Sequence, residues 1–296
     1  MRVLFACWLV VGGCDMGDPS FVTSPDGGGP SDAGPPQLGV RGRFEVIEGI
    51  DLRPGGAQAF SALDGDITDS DLWPLYHLTA LSGACRIYSL DPPYCSPTCD
   101  GICIAEDMCM PSAHSLSAGK VTIDGLLQSV TLSRQVDNSY TADDPLPMDL
   151  FSSEAVVEID AAGDEVSWFV MSTGGVRPID SDLPPAAVVL DGSDDFTITW
   201  PNPDASTNVT LEIRATNAYR GQPAPAILEC IGPDQGSLTV PRGLIQLFPP
   251  ALASCTADVD CPRARLRRQH QDSVIRSDIP IELVVAHEVR FTVDHR

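Results

Sequence analysis

The chain of 296 residues is poor in positive charge and in long apolar runs. It contains a single lysine, Lys120, and its 18 basic residues face 41 acidic ones, so the net charge is −23. A field of that sign repels phosphate backbones, so we expect no nucleic-acid partner. The longest apolar run covers residues 3–11, well short of the ~20 residues that a spanning helix needs.

Common catalytic motifs are also missing. The sequence has no H-E-x-x-H, G-x-S-x-G, Walker A or G-x-G-x-x-G motif, and its five histidines lack metal-ligand spacing. We therefore predict that the protein is not an enzyme. The alternative is a cell-envelope hydrolase, whose His and Ser or Asp side chains would meet only in the fold.

The N-terminal residues have the order of a secretory signal. Arg2 precedes the apolar run, and Gly12, Gly13 and Cys14 follow it. This arrangement resembles a bacterial lipobox, which implies that residues 1–13 are removed and that Cys14 carries diacylglycerol as the membrane anchor. The alternative is that residues 3–11 form a buried strand.

The next segment has the composition of a linker. Residues 15–38 are rich in Gly, Pro, Ser and Asp and contain few residues that could be buried. A flexible chain of that length reaches ~25–30 Å. We therefore predict a lipidated linker at 14–38 and a folded domain at 39–296, built as one unit or as two docked lobes. The expected location is the bacterial cell envelope, with the outer membrane or the cell surface favoured.

Eight cysteines remain after Cys7 and Cys14, and in an exported chain an even number indicates disulfides. They form two odd groups, so complete pairing within the chain requires at least one bridge between the groups. We predict Cys85–Cys230 for that bridge because both residues lie in strand-like stretches, and a short Cys255–Cys261 loop. The remaining members would pair within their own segment: Cys95, Cys99, Cys103 and Cys109.

That segment belongs to a predicted cysteine-rich insert at 82–111. Its C-x3-C-x3-C-x5-C spacing lacks the C-x2-C pairs of structural zinc sites, so disulfides are favoured over the metal alternative. The insert, the lipobox, the linker and the runs 196–201 and 229–241 resemble uncharacterised cysteine-containing lipoproteins of myxobacterial type. The resemblance implies a compartment and adds no activity.

Alternating or β-branched runs recur along residues 43–293 and helical patterns are scarce, the best covering Arg242–Phe248 after Pro241. We predict an all-β fold, a β-sandwich of immunoglobulin-like or jelly-roll type with a small disulfide-rich insert. Two hairpins are expected: residues 155–160 with 165–171, and residues 196–200 with 209–215. Trp168 and Trp200 are expected in the core.

Three surface features suggest ligands. Asp64, Asp66, Asp69 and Asp71 are oxygen ligands of the kind that Ca²⁺ binds, although a solvated turn is favoured. Trp73 could present a ring to a sugar, although a core position is favoured. The basic run 263–268 is expected in a solvated loop, with pairing to the protein's own acids or to an acidic partner as alternatives. The favoured function is a non-catalytic binding or structural module with a protein or glycan partner, and the further alternative is calcium- or glycan-dependent adhesion.

Overall fold

The computed structural model describes residues 41–53, 56–70, 76–90, 95–98, 101–137, 139–142, 144–180, 183, 187–215, 224–249 and 263–295. The predicted signal, Cys14 and the linker therefore lie outside the described residues. Within these ranges, no helix has the length and apolar character needed to cross a membrane.

The described residues form eighteen strands and one short helix. Most strands alternate buried apolar with exposed residues, which is the pattern of a sheet with one face on a core. The elements are β1 Gly42–Arg53, β2 Gly56–Ile67, β3 Tyr76–Ser82, β4 Cys85–Leu90, β5 Ile102–Ala105, β6 Met108–Met110, β7 Val121–Asp124, β8 Val130–Arg134, β9 Tyr140–Ala142, β10 Val156–Ala161, β11 Phe169–Gly174, β12 Val188–Leu190, β13 Phe196–Thr199, β14 Asn208–Ala215, β15 Ala226–Pro233, β16 Ser237–Val240, α1 Arg242–Leu247, β17 Arg263–Arg276 and β18 Ile279–His295.

Fourteen of these strands belong to one mixed sheet. Its order is β11-β10-β7-β8-β9-β2-β1-β18-β17-β14-β15-β4-β3, and β12 pairs with the end of β18. The neighbours β1 and β18 run parallel, whereas β17 and β18 form a long antiparallel hairpin. Two small sheets, β13–β16 and β5–β6, complete the described strands. The all-β prediction is confirmed, and the arrangement is consistent with a sandwich.

Two large hydrophobic cores lie on the same side of the large sheet and share β18, and a third, small cluster of Ile47, Val284 and Ala286 lies on its other side. Ile281, Leu283 and Val285 from the first half of β18 pack in one core with β1, β2 and β7 to β11. Val289 and Phe291 from the second half pack in the other core with β4, β14, β15, the β13–β16 pair and α1. One strand therefore connects both cores.

The predicted bridge between the two cysteine groups is present. Cys85 and Cys230 are bonded and lie directly opposite each other on β4 and β15, within the second core. Cys95 bonds to Cys103, and Cys109 is also in a disulfide, so the disulfide interpretation of the insert is supported over the metal alternative. The other predicted members lie outside the described residues: Cys99, Cys255 and Cys261.

Local predictions had mixed outcomes. The first hairpin is confirmed, since β10 pairs antiparallel with β11. The second hairpin is wrong because β13 pairs with β16, whereas β14 lies between β15 and β17. The alternating pattern indicates a strand but carries no information about its partner, which the rest of the fold decides.

The predicted helix is present as α1, with Pro241 at its N-cap rather than at its first position. Trp200 is buried as predicted, but Trp168 is 65% exposed. Trp168 precedes β11, which starts at Phe169, and there Phe169 takes the buried position.

Candidate functional site

Neighbouring strands of the large sheet present a second face, opposite the two cores, that is rich in charge. Because side chains alternate along a strand, every second residue of these strands points away from the cores. We call this surface the charged face. It is formed by β2, β1, β18, β17, β14, β15 and β4, and its charged members are Arg43, Glu45, Asp51, Arg53, Asp64, Asp66, Arg86, Glu212, Arg214, Glu229, Arg265, Arg267, Glu282, Glu288, Arg290 and Asp294.

The basic run predicted as a solvated loop is instead the start of β17. Ala264, Leu266 and Arg268 point to the cores, whereas Arg265 and Arg267 point to the charged face. Arg267 is only 6% exposed and Arg268 is fully buried. The alternative of pairing with the protein's own acids is confirmed for these arginines, since Arg267 contacts Glu288 and Arg268 contacts Asp234.

Ion pairs link three strands across the charged face. Arg267 donates from Nη2 to Glu288 Oε2 at 2.6 Å and from Nη1 to Glu45 Oε1 at 2.8 Å. Arg43 Nη2 lies 3.0 Å from Glu45 Oε1, and Arg290 bonds to Glu288. Burial alone would raise the pKa of Glu45, but Arg267, Arg43 and Arg265 outweigh it and hold that pKa at about 2.

A second group of ion pairs lies on β14 and β17. Glu212 accepts a hydrogen bond from Arg265 Nη2 at 2.7 Å and another from Arg214. Burial of the carboxylate is again outweighed by these two arginines, so its pKa is about 2. Both groups are therefore ionised and paired at neutral pH.

Glu229 differs from these paired acids. It lies on β15 between Glu212 on β14 and Arg86 on β4 and is only 6% exposed. Burial and the adjacent Glu212 raise its pKa to about 7, although Arg86, Arg43 and Arg265 offset part of that rise. Among the described residues its carboxylate has no hydrogen-bond or ion-pair partner. Glu229 is thus a buried acid whose charge the nearby arginines offset only in part.

Charges on this face act on one another across several strands. Arg43 on β1 lowers the pKa of Glu229 on β15 although three strands, β18, β17 and β14, separate them in the sheet. Coulomb interactions weaken with distance, and the effect of Arg43 is accordingly smaller than that of Glu212 on the adjacent strand. Glu288, which contacts Arg267 and Arg290, is completely buried.

An open cavity lies at the β2 side of the charged face. It has a volume of about 500 Å³ and is lined by residues 58–64 of β2, by Thr141 and Ala142 of β9, and by Asp144, Leu146 and Met148. Next to it the Arg290 guanidinium lies 3.8 Å from the centre of the Phe60 ring, a cation–π contact. The volume is in the range of small-ligand sites, ~300–1,000 Å³.

Several buried polar atoms on the charged face have no hydrogen-bond partner among the described residues. They include Arg43 Nε, Asp66 Oδ1 and Thr210 Oγ1. Buried polar groups are normally paired with protein or water. The charged face therefore has hydrogen-bonding capacity that the described residues do not use.

The core side of β17 has no such spare capacity. Arg268 donates to Asp234 and to the backbone oxygens of Arg177, Pro178 and Asn202. Asp234 also accepts from Trp200 Nε1 at 2.6 Å and from the backbone N–H groups of Asp204 and Gly236. These contacts satisfy both ends of the pair, so the cluster is structural.

The aspartates predicted to bind calcium are spread over a strand and a loop. Asp64 and Asp66 lie in β2 rather than in a turn, because residues 56–67 pair with β1. Asp69 accepts a hydrogen bond from the His114 backbone at 2.9 Å, and its other oxygen lies 3.1 Å from His114 Nδ1. Asp71 and Trp73 lie outside the described residues. In the described ranges, no three His, Cys, Asp or Glu side chains are placed to hold a metal ion, and the calcium site stays a prediction.

Sequence reasoning placed Glu229 in a strand but missed its role. A period-2 pattern assigns it to the side opposite Leu228 and Cys230, yet acids on that side are normally exposed. No local signal indicates that this acid is buried in the fold. The pairing of Glu212 with arginines that are close only in the fold is equally invisible in the sequence.

Comparisons of the chain with protein-family models, with curated proteins and with solved structures find no match. The geometry of the charged face and of the cavity beside it is therefore the basis for the functional proposal.

Proposed function

We propose that this protein is an exported, lipid-anchored module of the bacterial cell envelope that binds a partner, without catalysis, through its charged face. The observation that carries the proposal is the array of buried charges in which Glu229 has no partner among the described residues. An unpaired buried charge destabilises the folded state. Such a group is expected at a binding site, where the ligand supplies the missing partner.

Two features support export. The Cys85–Cys230 and Cys95–Cys103 disulfides are typical of proteins that fold in an oxidising compartment. The lipobox-like start and the Gly/Pro/Asp linker point to the same compartment by resemblance. A tether of ~25–30 Å would let the folded domain stand clear of lipid headgroups.

The charged face also suits recognition. Its paired arginines and glutamates hold hydrogen-bond donors and acceptors in fixed positions. Charge complementarity determines which partner a protein binds and how fast it associates with that partner. A neighbouring cavity with apolar and acidic walls adds room for a side chain or a small molecule.

The export and anchoring part of the proposal is tested by intact mass spectrometry of the protein extracted from membranes. We expect a mature N-terminus at Cys14 that carries acyl mass, and thiols that react with an alkylating reagent only after reduction. The Cys14→Ala variant should lose the acyl mass and leave the membrane fraction while keeping its disulfides.

A chain that retains Met1 and remains in the cytosol with free thiols would refute export. A processed chain without acyl mass would refute the anchor alone and leave an exported binding module.

A further inference from the structure

We propose that the ligand of the charged face is an organic cation, an amine or guanidinium group that forms an ion pair with Glu229. This inference rests on the proposed function and names the chemistry of its partner. It follows from how the charges of the face are paired in the fold.

The described arginines of the central strands already have acidic partners. Arg43 and Arg267 contact Glu45, Arg267 and Arg290 contact Glu288, and Arg214 and Arg265 contact Glu212. The acids, in contrast, are in excess. Those with no ion-pair partner among the described residues are Asp64, Asp66, Glu229 and Glu282. The charge that remains to be neutralised on this face is therefore negative.

Glu229 is the member of this set where a cation would gain most. Glu229 is only 6% exposed. A charge held away from water interacts more strongly with an opposite charge than a charge in solvent does. The adjacent Glu212 carboxylate makes the local potential more negative. The net charge of −23 attracts a cation from a distance.

An organic cation fits better than a metal ion. In the described ranges no set of three acidic, His or Cys side chains could surround an ion. A single buried carboxylate suits an ammonium or guanidinium group, which forms hydrogen bonds to one acid and places its carbon chain on apolar neighbours. Ile227 and Ile231 flank Glu229 on the same face of β15, and they provide that surface.

The proposal predicts a specific pH dependence. With its pKa at about 7, Glu229 is largely ionised at pH 8 and largely protonated at pH 6, so affinity for a permanently charged amine should fall about tenfold between them. The other groups that face Glu229 are Glu212, Arg214, Arg86, Tyr88, Arg265 and Arg43. Glu212 has a pKa of about 2 and the pKa of Tyr88 is raised above its ordinary value of 10, so neither of them titrates in this window.

The test is isothermal titration calorimetry of the full chain, extracted in neutral detergent, with spermidine and with a peptide rich in Arg and Lys. Mg²⁺ at matched ionic strength serves as the control for screening. We expect saturable binding of an amine at pH 8, a loss of about tenfold at pH 6, and a loss of tenfold or more in Glu229→Gln at pH 8. Glu158→Gln, the same change at an exposed position of β10, should bind as the wild type does.

Binding of both probes, or of spermidine alone, supports a free polyamine, whereas binding of the peptide alone supports a protein segment; each supports a cation at Glu229. Equal affinity in Glu229→Gln and the wild type would overturn the proposal, as would the absence of amine binding at millimolar concentration. The proposed envelope module would survive that result, because the acyl mass and the location of the protein are measured independently.

Discussion

Arg267 and Arg268 are adjacent in β17 and are both buried, yet their surroundings differ completely. Arg268 points to the cores and donates to Asp234 and three backbone oxygens. Arg267 points to the charged face, where its two acidic partners, Glu45 and Glu288, are shared with Arg43 and Arg290.

This difference separates a structural charge from one that belongs to a binding surface. The Arg268 cluster is closed, because Arg268 and Asp234 each form further hydrogen bonds with the backbone. No polar group of the cluster is left to bind a ligand. The charged face is open, since it has surplus acids and unpaired polar atoms such as Thr210 Oγ1. Burial by itself therefore does not reveal the role of a charge; the satisfaction of its hydrogen bonds does.

The largest effect is expected from Arg268→Met. Removal of the guanidinium leaves Asp234 as a buried charge without a counterion, although its bond to Trp200 remains. The loss of one partner from a buried pair typically costs about 3–5 kcal/mol. Urea unfolding of the full chain, followed by tryptophan fluorescence, measures that free energy.

Arg267→Met is the matched control on the opposite side of the same strand. Glu45 keeps Arg43 and Glu288 keeps Arg290, so we expect roughly half the loss of Arg268→Met or less. Equal losses in the two variants would contradict the distinction between the closed cluster and the open face.

The next effect concerns the Cys85–Cys230 disulfide, which lies on the core side directly beneath the neighbours Arg86 and Glu229. The double variant Cys85→Ala, Cys230→Ala should lose about 2–5 kcal/mol of unfolding free energy, because this bridge spans a sequence separation of 145 residues. The control is Cys95→Ala, Cys103→Ala, whose bridge has a separation of 8. Chain entropy predicts roughly half the loss for that short loop. A larger loss for the short loop than for the long one would refute this account.

Two features of the sequence predict part of this fold: the alternation of apolar and polar residues along the strands, and the odd number of cysteines in each of two groups. Strands such as β14, with Val209, Leu211 and Ile213 on one side, follow directly from a period of two. The hairpin of β10 and β11 follows from its Gly-containing turn. The long disulfide follows from two odd groups of cysteines, which is an argument of counting and needs no geometry.

The missed elements depend on distant residues. Strand β2 is rich in Gly, Ala and Asp, which rarely form strands, and it does so here because it pairs with β1 along its whole length. Strand β17 was missed because four arginines in six residues suggest solvent. Their partners, among them Glu45 and Asp234, are separated from them by 222 and 34 residues. A local pattern cannot contain that information.

The smallest effects are those of pH, and they should have opposite signs on the two faces. Glu229, on the charged face, has a pKa near 7 instead of the ordinary 4.5, so the folded state takes up a proton before the unfolded state does. Stability should therefore rise as the pH falls from 8 towards 5, by as much as ~3 kcal/mol. In Glu229→Gln this contribution should be missing, and the variant should be at least as stable as the wild type at pH 8.

His287, on the core side, should oppose this trend. Burial, followed by the charge of Arg268, lowers its pKa to about 4, and its Nδ1 accepts a hydrogen bond from the Ile179 backbone. The unfolded state therefore binds a proton near pH 6.5, whereas the folded state binds one only near pH 4. The free energy of unfolding therefore decreases as the pH falls from 6.5 to 4. His287→Asn keeps an acceptor near the Nδ1 position and removes the titration. Urea unfolding of both variants at pH 8, 6.5 and 5 measures these effects. The two substitutions should change the slope of unfolding free energy against pH in opposite directions. Slopes that change in the same direction would contradict the difference between the two faces that the hydrogen bonding indicates.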